Sequence, residues 1–145
     1  MDVAEDLAMH DHSSRKIVIA RSQTKGRGRP GHSWESIDGN LHLSAIIDKP
    51  INPFVQISKL TKMLAERLGK VQAIGNDLFH NQNKIGGIII ETSEDKPYAI
   101  LGIGINTNHN PKIEKRTTSL KKLGHIDSTT EVLHLCCELI QRLHD

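Results

Sequence analysis

The chain has 145 residues, the length of one domain and enough to bury a core without disulfides. Hydrophobic residues make up 37% and aromatic residues only 3%, so the core must be aliphatic and the single Trp34 stands apart. Charges are mixed in sign, and a formal net charge of +2 excludes a strong global pull toward nucleic acid or an anionic membrane.

The first fourteen residues are acidic and polar, unlike a secretory leader, and apolar runs such as Ala99 to Ile105 are too short to span a bilayer. The expectation is a cytoplasmic protein. Residues 3–9 (VAEDLAM) read as the end of a helix, and Lys16 to Ala20 as a short buried strand. Residues 22–39 form a long loop rich in Gly, Arg, Lys and Ser, a length that in a compact domain usually carries function.

Leu41 to Asp48 alternates, with Leu41, Leu43, Ala45 and Ile47 on one side and His42 and Ser44 on the other, which is strand behaviour. Asn52 and Pro53 suit an N-cap and first helical residue. Ile57, Leu60, Leu64 and Leu68 follow at helical spacing, and Gly69 supplies the stop. In GNDLFHNQNKIGGIIIE, Asn81 to Asn83 reads as a hairpin turn between two short strands. Tyr98 to Ile105 is a further strand, with Gly102 and Gly104 on the same face, where a ligand or another backbone can come close. Ser128 with Glu131 fits a capping box opening a last helix, whose stripe is Val132, Leu135, Cys136, Leu139, Ile140 and Leu143.

Cys136 and Cys137 are adjacent, and a disulfide between them would need a strained backbone. They read as small apolar helix residues in a reducing compartment. The nine histidines fall at no metal-ligand spacing, so no structural metal is expected. Helices and strands do not strictly alternate, and hairpins are evident. This predicts an α+β fold with a mixed, largely antiparallel sheet and helices packed on one face.

Two segments carry candidate chemistry. In Gln23-Thr-Lys-Gly-Arg-Gly-Arg-Pro-Gly31, three glycines can expose backbone N–H groups to an anion. Arg27 and Arg29 can fork onto phosphate or carboxylate oxygens, and such a loop can close over a charged ligand and exclude water. The plain alternative is a solvated mobile loop. Arg27 to Pro30 also has the core of an AT-hook, a minor-groove arm, although such arms sit in basic tails and this one lies between two apolar strands. In the second segment, Asn76-Asp77 precedes Lys84-Ile85-Gly86-Gly87. Lys84 can reach along bare backbone to an anion whose charge builds during attack on a phosphate. Its plain alternative is a solvated hairpin lysine.

Together these residues resemble a known family. GRGRPGHSW…GNLHLS is similar to the glycine-arginine loop and following strand of biotin protein ligases, ND…KIGGIIIE to their next block and GIGINTN to a third, in the family's order and over nearly the whole chain. The resemblance implies the biotin and lipoate ligase fold, related to class II aminoacyl-tRNA synthetases. It also implies a two-step reaction. Biotin's carboxylate attacks the α-phosphate of ATP, delivered with Mg²⁺, to give biotinyl-AMP. A lysine on the biotin carboxyl-carrier domain of a carboxylase then takes the acyl group. By the same resemblance Gln23, Arg27, Gly28 and Arg29 contact biotin and the adenylate, with Arg29 and Lys84 as the catalytic residues. Trp34 lies near the nucleotide or anchors the loop, Gly102 and Gly104 floor the pocket, and Asn106, Asn76 and Asp77 lie near phosphate and metal.

Against the family pattern, the opening Ser-Thr-Asn strand has no counterpart, and Lys-Trp-Pro-Asn-Asp is replaced by Ala73-Ile74-Gly75-Asn76-Asp77. Pro30 stands where many members carry a basic residue. Residues 1–145 are therefore expected to be a partial catalytic domain, without the small C-terminal domain or a DNA-binding domain. The rival readings are a lipoate or octanoyl transferase, an inactive remnant that binds biotin or carrier, and an AT-hook DNA binder. A free sheet edge would also allow a homodimer.

Overall fold

Three stretches of alternating apolar residues build the middle of a six-stranded sheet, seen in a computed structural model that describes residues 1–112, 116–125 and 129–144. The elements are helix α1 (Asp2–Asp11), strands β1 (Ile17–Ile19) and β2 (Leu41–Asp48), helix α2 (Pro53–Leu68), strands β3 (Gln72–Ile74), β4 (Asp77–His80), β5 (Asn83–Thr92) and β6 (Tyr98–Ile105), and helix α3 (Thr129–Arg142). The spatial order is β1-β2-β6-β5-β4-β3, and every neighbouring pair is antiparallel. The α+β class and the antiparallel sheet therefore hold. Among the described residues no helix is long and apolar enough to cross a membrane.

The two faces of the sheet differ. On one, Leu41, Leu43, Ala45 and Ile47 of β2 and Ala99, Leu101, Ile103 and Ile105 of β6 pack against Leu60, Leu64 and Leu68 of α2 and Val132, Cys136, Leu139 and Ile140 of α3. Each Leu or Ile fully buried here contributes roughly 2 kcal/mol. The opposite face is divided. One half, Ile46, Tyr98 and Ile100, is covered by Ala4 and Ala8 of α1. The other half presents Gly87, Gly102 and Gly104 beneath the long loop, with the Met1 thioether against Gly102 and the Trp34 ring against Gly104. Thus α2 and α3 share one face, as the sequence suggests, and α1 lies on the other. Glu5 holds α1 in place by pairing with Lys96 and accepting a 2.9 Å hydrogen bond from Tyr98 Oη.

Local signals act as expected in α2. The Asn52 side chain accepts from the Phe54 and Val55 N–H groups at 3.1 and 3.2 Å. Gly69, at φ 70°, ends the helix with its N–H on Ala65 O. Two readings are corrected. The strand expected as buried at Lys16 to Ala20 is an edge strand paired only with β2, and Ile19 is 53% exposed. The segment around Ala73 contains a strand the sequence reading lacked. β3 is only three residues long and returns through Gly75-Asn76, with Gly75 at φ 61° as a tight hairpin of this length favours. Ser128 of the expected capping box lies outside the described residues; α3 opens at Thr129.

Candidate active site

The glycine-bearing half-face and the loop above it enclose a cleft of about 950 Å³, including its open mouth. Gln23, Arg27, Gly28, Arg29, Trp34, Asn76, Asp77, Lys84, Gly102, Gly104 and Asn106 all line it, so the structure brings together every candidate residue from the sequence.

Lys84 reaches the cleft because of a bulge. The β4–β5 register shifts between Leu78 and Phe79, so that Asp77 faces Gly87 and Phe79 faces Lys84. The extra residue resets the side-chain alternation of β5. Ile85 and Ile88 remain in the core, and Lys84 shares the cleft with Gly87 and Ile89. The main chain of Lys84 is held separately: its N–H donates to Arg116 O and its carbonyl accepts from Thr118 N–H, both at 2.9 Å. Its Nζ lies 3.1 Å from Asp77 Oδ1 and 5.7 Å from the centroid of the Trp34 ring. Arg29 approaches the other oxygen of the same carboxylate at 3.4 Å. Two cations thus share one carboxylate that is largely buried, with a side chain 13% exposed. An anion entering here would meet both cations.

The loop over the cleft is more ordered than a run of glycines and charges suggests. Residues 26–34 fold back on themselves as a small hairpin. Trp34 N–H donates to Gly26 O at 3.1 Å, Gly28 N–H to His32 O at 3.0 Å, and His32 N–H to Arg29 O at 2.9 Å. The Gly28 N–H is therefore spent within the loop, where the sequence suggested one free for an anion. The turn lays the Trp34 ring against the sheet. A Cβ on Gly104 would lie 2.7 Å from two of its ring carbons, and one on Gly102 would lie 3.0 Å from Met1 Sδ. These two glycines make room for an aromatic lid and a thioether. The Trp34 indole Nε1 is buried without a hydrogen-bond partner.

Arg27 and Arg29 diverge. Arg29 turns toward Asp77 and Lys84. Arg27 donates from Nε to Glu91 at 2.6 Å, from a terminal nitrogen to the other Glu91 oxygen at 2.9 Å, and from the remaining one to Asp2 at 2.6 Å. Those bonds, Glu91's first, push its pKa up, and they hold the Asp2 carboxyl below its ordinary value.

At the third corner, Asn106 is 1% exposed and sits in a polar network joining the end of β6 to the start of β2. Its Nδ2 donates to Thr118 O at 3.2 Å, and Asn40 Nδ2 lies 3.4 Å from Asn106 Oδ1. Asn40 Oδ1 accepts from the Asn108 and His109 N–H groups. His42, on β2 opposite Gly104, is almost fully buried, and burial pushes its pKa down. Sequence reasoning did not single out Met1, Asp2, Asn40 or Glu91. Asn40 and Glu91 fall inside the runs GNLHLS and KIGGIIIE, which was the signal available for them; Met1 and Asp2 had none.

A cleft with tryptophan and glycine-bearing strands at one end and converging cations at the other has the shape and charge to suit an amphipathic anion. The chain belongs to the biotin/lipoate A/B protein ligase family, whose pattern it matches over residues 2–108. It is 30% identical, over an alignment of 162 residues, to the bifunctional ligase/repressor BirA of Bacillus subtilis, covering 98% of this chain and 50% of that protein. Among solved structures, the biotin protein ligase from Aquifex aeolicus in complex with biotin and ATP superposes with a TM-score of 0.76 at 29% identity, covering 87% of this chain and 59% of that one. The Leishmania major biotin protein ligase in complex with biotinyl-5-AMP gives a TM-score of 0.78 at 22% identity, covering 96% of this chain and 68% of that one, and so speaks for the fold. The chain spans half the length of the Bacillus protein.

Proposed function

We propose that this chain is the core of a biotin protein ligase, which activates biotin with ATP and delivers it to a lysine of a biotin carboxyl-carrier domain. The observation that carries the reading is the convergence of Lys84 and Arg29 on Asp77 at the end of the glycine-lined slot under Trp34. The family match and the likeness to ligases solved with biotin, ATP or biotinyl-5-AMP support it.

The parts fit these substrates in size and polarity. Trp34 and Ile89 offer an apolar wall to biotin's ring and side chain, with Gly102 and Gly104 as the floor on which the Met1 thioether and the Trp34 ring rest, and Gln23 offers a polar edge for the ureido group. Biotin's carboxylate would take the place of the Asp77 carboxylate on Lys84. Asp77, with Asn76, would then be free to hold the Mg²⁺ that accompanies the nucleotide. Arg29 would face the phosphates, and Asn106 would line the same region.

In the first step a carboxylate oxygen attacks the α-phosphorus. The bond to the bridging oxygen breaks, and pyrophosphate leaves with its electron pair. Lys84 and Arg29 stabilise the charge that builds on the phosphoryl oxygens. In the second step the carrier lysine, as free amine, attacks the acyl carbon. AMP leaves, and the new amide nitrogen gives up its proton. The protein's work is mainly positioning and exclusion of water from the mixed anhydride. The minor-groove reading loses ground because Arg27 is tied to two carboxylates within the domain.

The test is incubation of the purified chain with MgATP and either biotin or lipoate, with detection of acyl-adenylate by mass spectrometry. The proposal expects biotinyl-AMP and no lipoyl-AMP. Lipoyl-AMP alone would assign the other branch of the family, and neither product would make the chain an inactive relative.

A further inference from the structure

The sequence makes Arg27 and Arg29 look like a matched pair aimed at one ligand, yet the structure uses them differently. We infer that Glu91 is a positioning residue: by gripping Arg27 it keeps the 26–34 hairpin seated, and so keeps Trp34 on Gly104 as the wall of the slot. The contact itself stands on the geometry alone. Its consequence for catalysis rests on the ligase reading above.

Three segments distant in sequence meet at Arg27: the loop itself, Glu91 near the end of β5 and Asp2 at the start of α1. Three of the guanidinium's donor groups are engaged, two of them in a parallel fork on one carboxylate. An isolated exposed ion pair contributes little, but a bidentate fork within a three-member cluster is the geometry in which such pairs matter. The pair is half-buried, with side chains 35% and 41% exposed. Glu91 lies four residues beyond Gly87, which pairs with Asp77, so the two loop anchors are about 13 Å apart along the strand. Arg27 is fixed at one and Arg29 at the other, and the hairpin is stretched between them across the cleft.

Two consequences follow. With Nε and both terminal nitrogens engaged by Glu91 and Asp2, Arg27 is turned away from the cations that converge on Asp77, so the loop's contact with a ligand anion falls to Arg29. Release of Arg27 would leave the hairpin held mainly by the weaker contact of Arg29 with Asp77, the carboxylate that ligand binding is proposed to free. Glu91 would then be the anchor that holds the loop during turnover.

Trp34 is the chain's single tryptophan and lies in the loop, so its fluorescence reports the loop directly. In Glu91→Gln, which keeps the shape and removes the charge, Trp34 emission should shift to the red and become more open to acrylamide. The amides of Gly28, His32 and Trp34 should exchange about tenfold faster, while those of α2 and α3 keep their wild-type rates and show that the fold is intact. Arg27→Lys, which breaks the fork from the other side, should move the same signals in the same direction. In an Arg27→Ala background Glu91→Gln should add nothing. With biotin and MgATP, Glu91→Gln should raise the KM for biotin about tenfold with little change in kcat, as expected when a wall of the binding slot is loosened. Unchanged emission and exchange in Glu91→Gln, or additive effects with Arg27→Ala, would overturn the inference. The fluorescence and exchange arms need no ligase activity, so failure of the ligase reading would leave them able to decide whether Glu91 positions the loop.

Discussion

Gly104→Ala puts a methyl group where the Trp34 ring now lies. The new Cβ would sit 2.7 Å from Cε2 and Cζ2 and 3.1 Å from Nε1. Carbon atoms settle at about 3.5–4.0 Å, so the ring must retreat by about 1 Å. It cannot do so freely, because Trp34 N–H is bonded to Gly26 O and the ring faces the Lys84 ammonium. Overpacking of this kind costs about 1–3 kcal/mol. In a domain of this size 1 kcal/mol moves Tm by about 3 °C, so the substitution should lower Tm by about 3–9 °C. It should also narrow the slot and weaken biotin binding. Gly102→Ala should be milder, because its Cβ would meet the unbranched, adaptable Met1 thioether at 3.0 Å and Ile89 Cγ1 at 3.1 Å. Calorimetric melts and biotin titrations on both variants test the geometry. A Gly104→Ala protein with wild-type Tm, Trp34 emission and biotin affinity would refute the placement of the indole over β6.

Three further outcomes follow from local features. Asn52→Ala removes the acceptor for two N–H groups at the start of α2 and should cost about 1 kcal/mol, read as a lower urea midpoint at unchanged m-value. Burial pushes the Cys136 thiol up to about 12 from an ordinary 9.0. Folded protein at about pH 8 should therefore leave Cys136 unlabelled by thiol reagents until it unfolds. Stability linked to this thiol is full below its unfolded value. It declines as pH rises toward the folded one, because only the unfolded chain ionises in that window. Urea midpoints at pH 8 and 10.5 should show the decline, and Cys136→Ala should lessen it.

Much of this architecture was legible in the sequence because the signals were local. The bounds of β2, α2 and β6 follow from a two-residue alternation, an Asn-Pro start with a glycine stop, and a second alternation with two glycines on one face. The gathering of Lys84, Asp77 and the loop arginines was implied by the resemblance of the three motifs to the ligase family. What stayed hidden depends on distance along the chain or on a single inserted residue. Glu91 lies 64 residues from Arg27 and Asp2 lies 25, and neither separation has a periodic signature. β3 is too short to show an alternation. The bulge that aims Lys84 is a register shift between two strands, which appears only once they are paired. α1 lies on the far face because Ile46 and Ile100 need a cover, and Ala4 and Ala8 allow a close one.

The central claim is that Lys84 and Arg29 form the anion end of a slot in which biotin's carboxylate is activated. Its most direct test is single-turnover formation of biotinyl-AMP from biotin and MgATP, acid-quenched and measured by mass spectrometry, for the wild-type chain and for Lys84→Ala. The wild type should give biotinyl-AMP, and a folded Lys84→Ala protein should form it more slowly by about a hundredfold or more. Equal rates from the two, or none from a wild-type chain whose melt shows it folded, would contradict it.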